Sequence, residues 1–414
     1  MSYLATPGTF SKSPLAFGLP ADTTITEAHG ARVTLNDGSI LLDWVSGLGS
    51  NLMGFCDPDH LAHVTHHLHK TGGSLSLPSN LEAQVAEKLC LMLGSRVPDF
   101  PPDTISARFA KTGSDVTTMA VRLARAVTKR PYILTFRGGY HGWADTFISR
   151  TEPGHGLLPM MGLGSELYER KMWHRIIETD PYNFDAGGWY RWDEIAAVIF
   201  EVGIDTAPPG WWDYLRKVCD QTGTLLIADE VVTGLRYGLG GACERYGIKP
   251  DLVCMGKGLG NGLPISALIG RREYMDWWGR NDPVFCSSTM WGESVGLAAA
   301  DYVLNVWDNE KVEYLWQMGS RLMECSAWSV IGHPCRSLFT FDNESYRAYF
   351  IQEMKARGVL CNRPNFPTLA HTEDDLALTL RAIEEVKAGA DKAGPEFMAE
   401  AMKDCMPRVL FKNR

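Results

Sequence analysis

The chain has 414 residues, 45% hydrophobic and 21% charged, which is the composition of a globular protein with a large core rather than of a disordered one. Its formal net charge of -9 argues against nucleic acid or an anionic membrane surface as the main partner, so a small molecule is the expected ligand. The ten cysteines are scattered singly, so we expect reduced thiols. No segment is long and apolar enough to span a bilayer, and the first residues lack a basic region followed by an apolar core. We therefore expect a cytosolic protein.

The first segment, residues 1–55, contains two β-rich runs on either side of Asn36-Asp37-Gly38, a pattern that predicts a β-hairpin. We treat this segment as separate from the larger domain that follows it.

The next segment, "DHLAHVTHHLHK", contains His60, His63 and His67 at spacings that one face of a helix can share. Such a face could bind a metal ion. The sequence shows no carboxylate or cysteine that completes a ligand set, so we interpret the histidines as a polar helix face and expect no metal site.

From residue 56 to about 305, helical and strand patterns alternate. The run "SDVTTMAVRLARAVTKR" has helical spacing, and the buried-strand candidates are "PYILTF", "IAAVIF", "TLLIAD", "DLVCM" and "ISALIG". This alternation predicts an α/β domain with a mostly parallel sheet, helices on both faces and ligands at the carboxyl ends of the strands. Residues 306–414 are richer in helix and form a predicted smaller domain, whose long last helix starts after Thr372.

One lysine, Lys257, follows the apolar strand "DLVCM" within a glycine cluster. A strand end among apolar residues desolvates an ammonium group and lowers its pKa, which favours the free amine that attacks an aldehyde. A lone Gly-Lys-Gly is more typical of a solvated loop, so this interpretation depends on other residues. The glycines form neither a phosphate-binding GxxxxGK[ST] loop nor a dinucleotide-binding GxGxxG motif.

Pyridoxal 5′-phosphate is an aldehyde cofactor that needs an anion beside its ring nitrogen, a phosphate cradle and packing on both ring faces. Asp229, at the end of "TLLIAD", provides an anion. Gly113 and Ser114 begin a helix whose positive end can hold a phosphate. Tyr140 and Val231 could cover the two ring faces. The joint order of these residues along the chain therefore predicts this cofactor, although each residue alone has an ordinary structural interpretation.

Several longer stretches, among them "TGSDVTTMAVRLAR", "FRGGYHGWAD", "LLIADEVVTGLR" and "PDLVCMGKGLGNGLPISALIG", resemble the class III (fold type I) pyridoxal-phosphate aminotransferases, most closely the glutamate-1-semialdehyde aminomutase branch. The resemblance implies a large α/β domain and a smaller α+β domain at the C-terminus. It also implies a homodimer with shared active sites, and these roles: Lys257 as the lysine bonded to the cofactor, Asp229 as the partner of the ring nitrogen, Val231 and Tyr140 as the ring sandwich, Gly113 and Ser114 as the phosphate loop, His141 as a residue of the pocket, and Thr289 as a contact to the neighbouring subunit's cofactor phosphate.

The predicted reaction moves an amino group between a small amino donor and a keto or aldehyde acceptor. It proceeds through a Schiff base on Lys257 and a pyridoxamine form, with the lysine as acid and base. An intramolecular aminomutase is the alternative, and a protein of this fold without catalysis is a minor one.

The chain departs from the aminomutase branch at positions that would contact substrate. Residues 13–17 read "SPLAF" and lack the arginine found there in that branch, and Leu48 replaces an aromatic residue. These departures argue against glutamate-1-semialdehyde as the substrate. Arg363 is a hypothetical carboxylate-binding residue, and residues 149–164 correspond to a mobile gating loop, so we expect a lid there.

Overall fold

The computed structural model describes residues 14–17, 19–20, 22–136, 139–148, 150–152, 156–158, 176–179, 191–203, 207–279, 284–325, 327–361 and 364–401. Arg363 and most of the predicted lid lie outside these ranges, so both remain predictions. The nine cysteines within the ranges are reduced. Of the helices within them, none combines the length and the apolar character needed to cross a bilayer.

The strands follow one another along the chain as β1 (Ile25–His29), β2 (Arg32–Leu35), β3 (Ile40–Asp43), β4 (Ile105–Ala110), β5 (Tyr132–Phe136), β6 (Arg150–Glu152), β7 (Gly156–Leu158), β8 (Ile176–Thr179), β9 (Ile195–Phe200), β10 (Leu225–Glu230), β11 (Leu252–Met255), β12 (Ser266–Arg271), β13 (Val330–His333), β14 (Arg336–Phe339), β15 (Val359–Leu360) and β16 (Pro364–Asn365). All five strands predicted from the apolar runs are present, as β5, β9, β10, β11 and β12.

The α-helices are α1 (Pro58–Thr71), α2 (Asn80–Gly94), α3 (Gly113–Thr128), α4 (Asp145–Ile148), α5 (Trp211–Thr222), α6 (Gly241–Tyr246), α7 (Arg272–Met275), α8 (Ser294–Val306), α9 (Asn309–Met323), α10 (Glu344–Ala356) and α11 (Glu373–Ala401). Short 3-10 turns occupy Pro14–Phe17, Pro102–Thr104, Trp192–Glu194, Lys257–Gly260 and Asp276–Gly279. The predicted start of α11 is confirmed, because Thr372 and Asp375 exchange the two hydrogen bonds of a capping box.

Two compact units make up the chain: residues 60–309 form one, and residues 1–59 with residues 310–414 form the other. The N-terminal and C-terminal segments join in one unit because β15 pairs in parallel with β3, which belongs to the predicted hairpin. Long-range pairing of this kind leaves no local pattern in the sequence. The domain boundaries predicted from the sequence, after residues 55 and 305, remain a proposal; the compact units divide after residues 59 and 309.

The larger unit contains a seven-stranded sheet in the order β4-β12-β11-β10-β9-β5-β8. Every residue of β9 and β10 is buried, as expected for central strands that read as continuous apolar runs. Helix α3 packs its apolar face on this sheet through Val116, Ala120 and Leu123. The predicted mostly parallel sheet is confirmed, with β12 antiparallel to both of its neighbours.

In the other unit, a buried histidine gives a pH-dependent stability. His371 stacks on Trp44 with ring centroids 4.1 Å apart, and its Nδ1 accepts a hydrogen bond from the Thr368 amide at 3.1 Å. Burial lowers the pKa of His371 from 6.5 to about 4. The unfolded chain therefore binds a proton that the folded chain excludes, and the stability present above pH 6.5 is lost as the pH falls towards 4.

The expected size of this effect is about 3 kcal/mol at most, since each pKa unit corresponds to about 1.4 kcal/mol. The measurement is the thermal unfolding midpoint at pH 7.5 and pH 5 for the wild type and His371→Asn, whose side-chain oxygen can replace Nδ1 as acceptor. The variant should lose less stability on acidification than the wild type. Equal losses would show that His371 does not carry this pH dependence.

Candidate active site

The carboxyl edge of the seven-stranded sheet brings two of the predicted site residues together. Strands β10 and β11 run in parallel, with Asp229 opposite Cys254 and Glu230 opposite Met255. Lys257 follows β11 after Gly256, so the aspartate and the lysine leave the sheet at the same edge. The backbone of Lys257 has φ of 42°, in the left-handed region that residues other than glycine rarely adopt. Backbone strain of this kind is concentrated at functional sites.

Val231 connects the lysine turn with the start of helix α3. A Cβ atom built on Gly113 would lie 2.8 Å from Cγ1 of Val231, and one built on Gly256 would lie 3.4 Å from the same methyl group. Gly113 must therefore be glycine for the helix start to approach β10 so closely. The valine, the helix start and the residue before Lys257 consequently meet at one place.

Asp229 is 4% exposed and held by two donors. His141 Nδ1 lies 2.7 Å from Oδ2, and the Val231 amide donates to Oδ1 at 3.1 Å. The other ring nitrogen of His141 lies 2.9 Å from Oγ1 of Thr135, so the imidazole bridges the hydroxyl and the carboxylate. His141 thus orients Asp229. Sequence analysis missed Thr135, for which the available signal is a threonine in the otherwise apolar strand β5.

The start of helix α3 is shaped for an anion. Thr112 and Asp115 form a capping box, in which the Asp115 carboxylate accepts from the Thr112 amide at 2.8 Å and the Thr112 hydroxyl accepts from the Asp115 amide at 3.2 Å. The amides of Gly113 and Ser114 precede any acceptor within the helix, so they can point at a ligand. Oγ of Ser114 accepts from the Trp143 amide at 3.1 Å, which leaves the hydroxyl hydrogen for a ligand oxygen.

Tyr140 and Thr289 also belong to the larger unit. The Tyr140 side chain is 40% exposed and its amide donates to the Glu201 carboxylate at 3.2 Å. Thr289 is exposed, and its carbonyl accepts from Oγ of Ser74 at 2.8 Å. Leu48 belongs to the other unit, where it is 42% exposed with φ of 62° in the left-handed turn Ser46–Gly49.

A partly buried ion pair that sequence analysis missed fixes the chain beyond Thr289. Nζ of Lys111 contacts the Glu293 carboxylate and donates to the Pro264 carbonyl at 3.1 Å. Glu293 caps helix α8 by accepting from the Val295 amide at 2.8 Å and from the Gly296 amide. Lys111 lies two residues before the start of helix α3, so the pair ties the loop before that helix to the Thr289 segment.

The match to known proteins covers most of the chain. The family model described as "Aminotransferase class-III" matches residues 18–323. This chain belongs to the class III aminotransferases. It is 34% identical to a glutamate-1-semialdehyde 2,1-aminomutase of Thermus thermophilus, over 92% of this chain and 95% of that protein. It is also 32% identical to a glutamate-1-semialdehyde 2,1-aminomutase 2 of Brevibacillus brevis, over 86% and 89% of the two chains. A solved "Transaminase with PLP bound" shares the fold, with a TM-score of 0.81 and 22% identity over 95% of both chains.

Membership of the class III aminotransferases makes this chain a pyridoxal-phosphate-dependent enzyme of fold type I. The residues at the sheet edge fit that cofactor in three respects. The buried Asp229 carboxylate offers a charge for a ring nitrogen, the helix start offers amides for a phosphate, and Lys257 offers an amine for an aldehyde. The close approach of Val231 to both glycines places an apolar wall between these groups.

Gly113→Ala tests that close approach. The new methyl group would lie 2.8 Å from the Val231 side chain, so the helix start must shift away from the strand. We expect this shift to cost cofactor binding about 1–3 kcal/mol, which corresponds to roughly 5- to 150-fold weaker binding. The measurement is the dissociation constant of pyridoxal phosphate from the reconstituted apoenzyme. The double variant Gly113→Ala/Val231→Ala has room for the methyl group and should recover part of the loss; unchanged binding in the single variant would contradict the crowding.

Proposed function

We propose that this class III enzyme is an intermolecular aminotransferase, which moves an amino group from a small amino donor to a separate keto or aldehyde acceptor. The observation that carries the proposal is the convergence of Asp229, Val231, Lys257 and the start of helix α3 at one edge of the sheet. This convergence provides an amine, an anion and a phosphate cradle around one apolar wall. Those are the groups that amino transfer with pyridoxal phosphate requires.

When bound, pyridoxal phosphate supplies an aldehyde that condenses with amines and a ring that accepts electron density. Lys257 would hold the cofactor through its amine. When that amine is free, it would act as general base and acid, taking a proton from the substrate carbon and giving it to the cofactor carbon. Asp229 keeps a proton on the ring nitrogen, and His141 holds that carboxylate in place through its 2.7 Å contact. The Gly113 and Ser114 amides bind the phosphate.

We further infer a homodimer in the cytosol, with Thr289 contributing to the partner's phosphate site. The exposed position of Thr289 and the Lys111–Glu293 pair, which fixes the chain after it, support this arrangement. Mixing unfolded Lys257→Ala and Thr289→Ala chains and refolding them together tests it. Hybrid dimers would contain one site with both residues intact, so activity should exceed the sum of the two variants, each refolded alone at its concentration in the mixture. Activity no higher than the sum of the parents would contradict shared sites.

An intramolecular aminomutase is the second candidate, because the two curated relatives described above carry that name. The same residues would serve, with donor and acceptor nitrogen in one molecule. The absence of an arginine from residues 13–17 and the leucine at position 48 argue for a different substrate. A catalytically inactive protein of this fold is the minor alternative, and the presence of Lys257, Asp229 and the phosphate loop argues against it.

The deciding experiment follows the absorbance of the bound cofactor in the purified holoenzyme. The panel contains small primary amines, α- and ω-amino acids and glutamate-1-semialdehyde, each without and then with a keto acid. An aminotransferase should show a change with one donor alone, which reverses when an acceptor is added. Continuous isomerisation of glutamate-1-semialdehyde without an acceptor would support the aminomutase instead. No change with any compound, in an enzyme that retains the cofactor, would support the inactive alternative.

A further inference from the structure

A second cluster of functional side chains lies in the larger unit, on helices that the proposed amino transfer does not use. His63 and His67, one turn apart on α1, meet Asp301 of α8, and the three ligand atoms lie within 4.8 Å of one another. The sequence grouped His60 with these histidines and found no carboxylate partner. In the structure His60 is buried beside Tyr302 instead, at a ring-centroid distance of 5.5 Å, and Asp301 completes the group.

The two carboxylate oxygens of Asp301 contact different side chains, a histidine and a lysine. Its Oδ2 lies 3.0 Å from Nε2 of His63, whereas its Oδ1 accepts from Nζ of Lys88 at 2.6 Å. Asn305 donates to Oδ2 at 3.3 Å and accepts from Lys88 at 2.7 Å. These contacts fix the carboxylate with Oδ2 facing the imidazoles. A carboxylate fixed by outer hydrogen bonds in this way is typical of ligating groups.

The placement of the two imidazoles favours a shared ligand role. Each ring has a nitrogen that can supply a lone pair to a metal ion, and both histidines lie on α1 within reach of Asp301. The His63 and His67 rings, with centroids 4.8 Å apart, stand side by side rather than on opposite faces of the helix.

We propose that His63, His67 and Asp301 bind a divalent transition-metal ion, with Zn²⁺ the best match to two imidazoles and one carboxylate. Two ligands of a tetrahedral zinc ion lie about 3.3 Å apart, since each lies about 2.0–2.1 Å from the metal. His63 Nε2 and Asp301 Oδ2 lie 3.0 Å apart, close to this spacing, and all three ligand atoms lie within 4.8 Å of one another. A water molecule completes the four-coordinate set. The bound ion would link α1 to α8, which follows the Thr289 segment directly.

Lys88 competes with the ion, because its ammonium lies against the carboxylate that the ion would bind. Its side chain is 38% exposed, so it can turn into solvent when the ion arrives. This competition gives the site a characteristic response to substitution. Removing a ligand weakens binding, whereas removing the lysine charge strengthens it.

The experiment measures Zn²⁺ binding to the cofactor-loaded, full-length protein by competition with a fluorescent chelator. We expect one site that His67→Ala weakens by at least about tenfold. The matched control is His69→Ala, an exposed histidine of the same helix outside the cluster, which should bind as the wild type does. Lys88→Gln should bind more tightly than the wild type. Circular dichroism and equal cofactor content establish that the variants are folded.

Either of two results would overturn the proposal. Equal weakening by His67→Ala and His69→Ala would show that zinc binds surface histidines without selection. Unchanged or weaker binding by Lys88→Gln would place the ion away from Asp301. Co²⁺ gives a second readout, because visible bands of a four-coordinate ion should appear in the wild type and be lost in His63→Ala.

Discussion

We expect Lys257→Ala to lower the turnover number for every accepted amino donor by about 10²–10⁴-fold, the range associated with loss of a positioned general acid and base. Lysine and alanine both carry a Cβ atom, so the substitution leaves the cost of the left-handed backbone at position 257 unchanged. The variant should therefore fold and retain the aspartate and phosphate contacts. The turnover number at saturating donor tests the loss of activity, and the thermal unfolding midpoint tests whether the variant folds.

A matched control is Lys249→Ala, which removes a partly exposed lysine paired with Asp99 at 3.2 Å, shortly before the same strand β11. This control should keep wild-type turnover. Adding a small primary amine to Lys257→Ala should restore part of the lost activity, because the amine can occupy the space of the missing side chain and transfer the proton. Wild-type turnover in Lys257→Ala would contradict the proposed role of the lysine outright.

Much of the large sheet could be predicted from the sequence because its central strands are buried on both faces. In an α/β protein, an apolar run such as "IAAVIF" is typical of a strand buried on both faces of the sheet. The direction of β12 could not be predicted in this way, since an antiparallel strand buried between β11 and β4 is equally apolar. The pairing of β15 with β3 could not be predicted either, because β15 contains only two residues.

The candidate site shows the same limit at the level of side chains. Local signals identified Lys257, Asp229 and the start of helix α3, because glycines, strand ends and helix starts have distinct sequence patterns. They did not reveal that His141 contacts Asp229, since 88 residues separate the two. His63 and Asp301 are 238 residues apart, and no periodicity connects them. Contacts between separate elements depend on packing, which a single sequence does not display.

Asp229→Asn has the second large expected effect. The substitution keeps the shape of the side chain and its oxygen can still accept from the Val231 amide, but the negative charge is lost. An uncharged group cannot hold a proton on the ring nitrogen, so proton removal from the substrate becomes harder. We expect the activation free energy to rise by about 3–5 kcal/mol, so that kcat/KM falls roughly 10²–10⁴-fold.

The contrast with His141 separates the charge from its positioning. His141 is 4% exposed and acts through Asp229, so His141→Asn should keep the carboxylate charge and lose only its alignment. Its kcat/KM should therefore lie between those of the wild type and Asp229→Asn. Asp229→Glu, which restores the charge at a different reach, should recover part of the activity. If Asp229→Asn and His141→Asn lose activity equally while both retain cofactor and stability, the alignment of the pair rather than the charge of Asp229 governs the reaction.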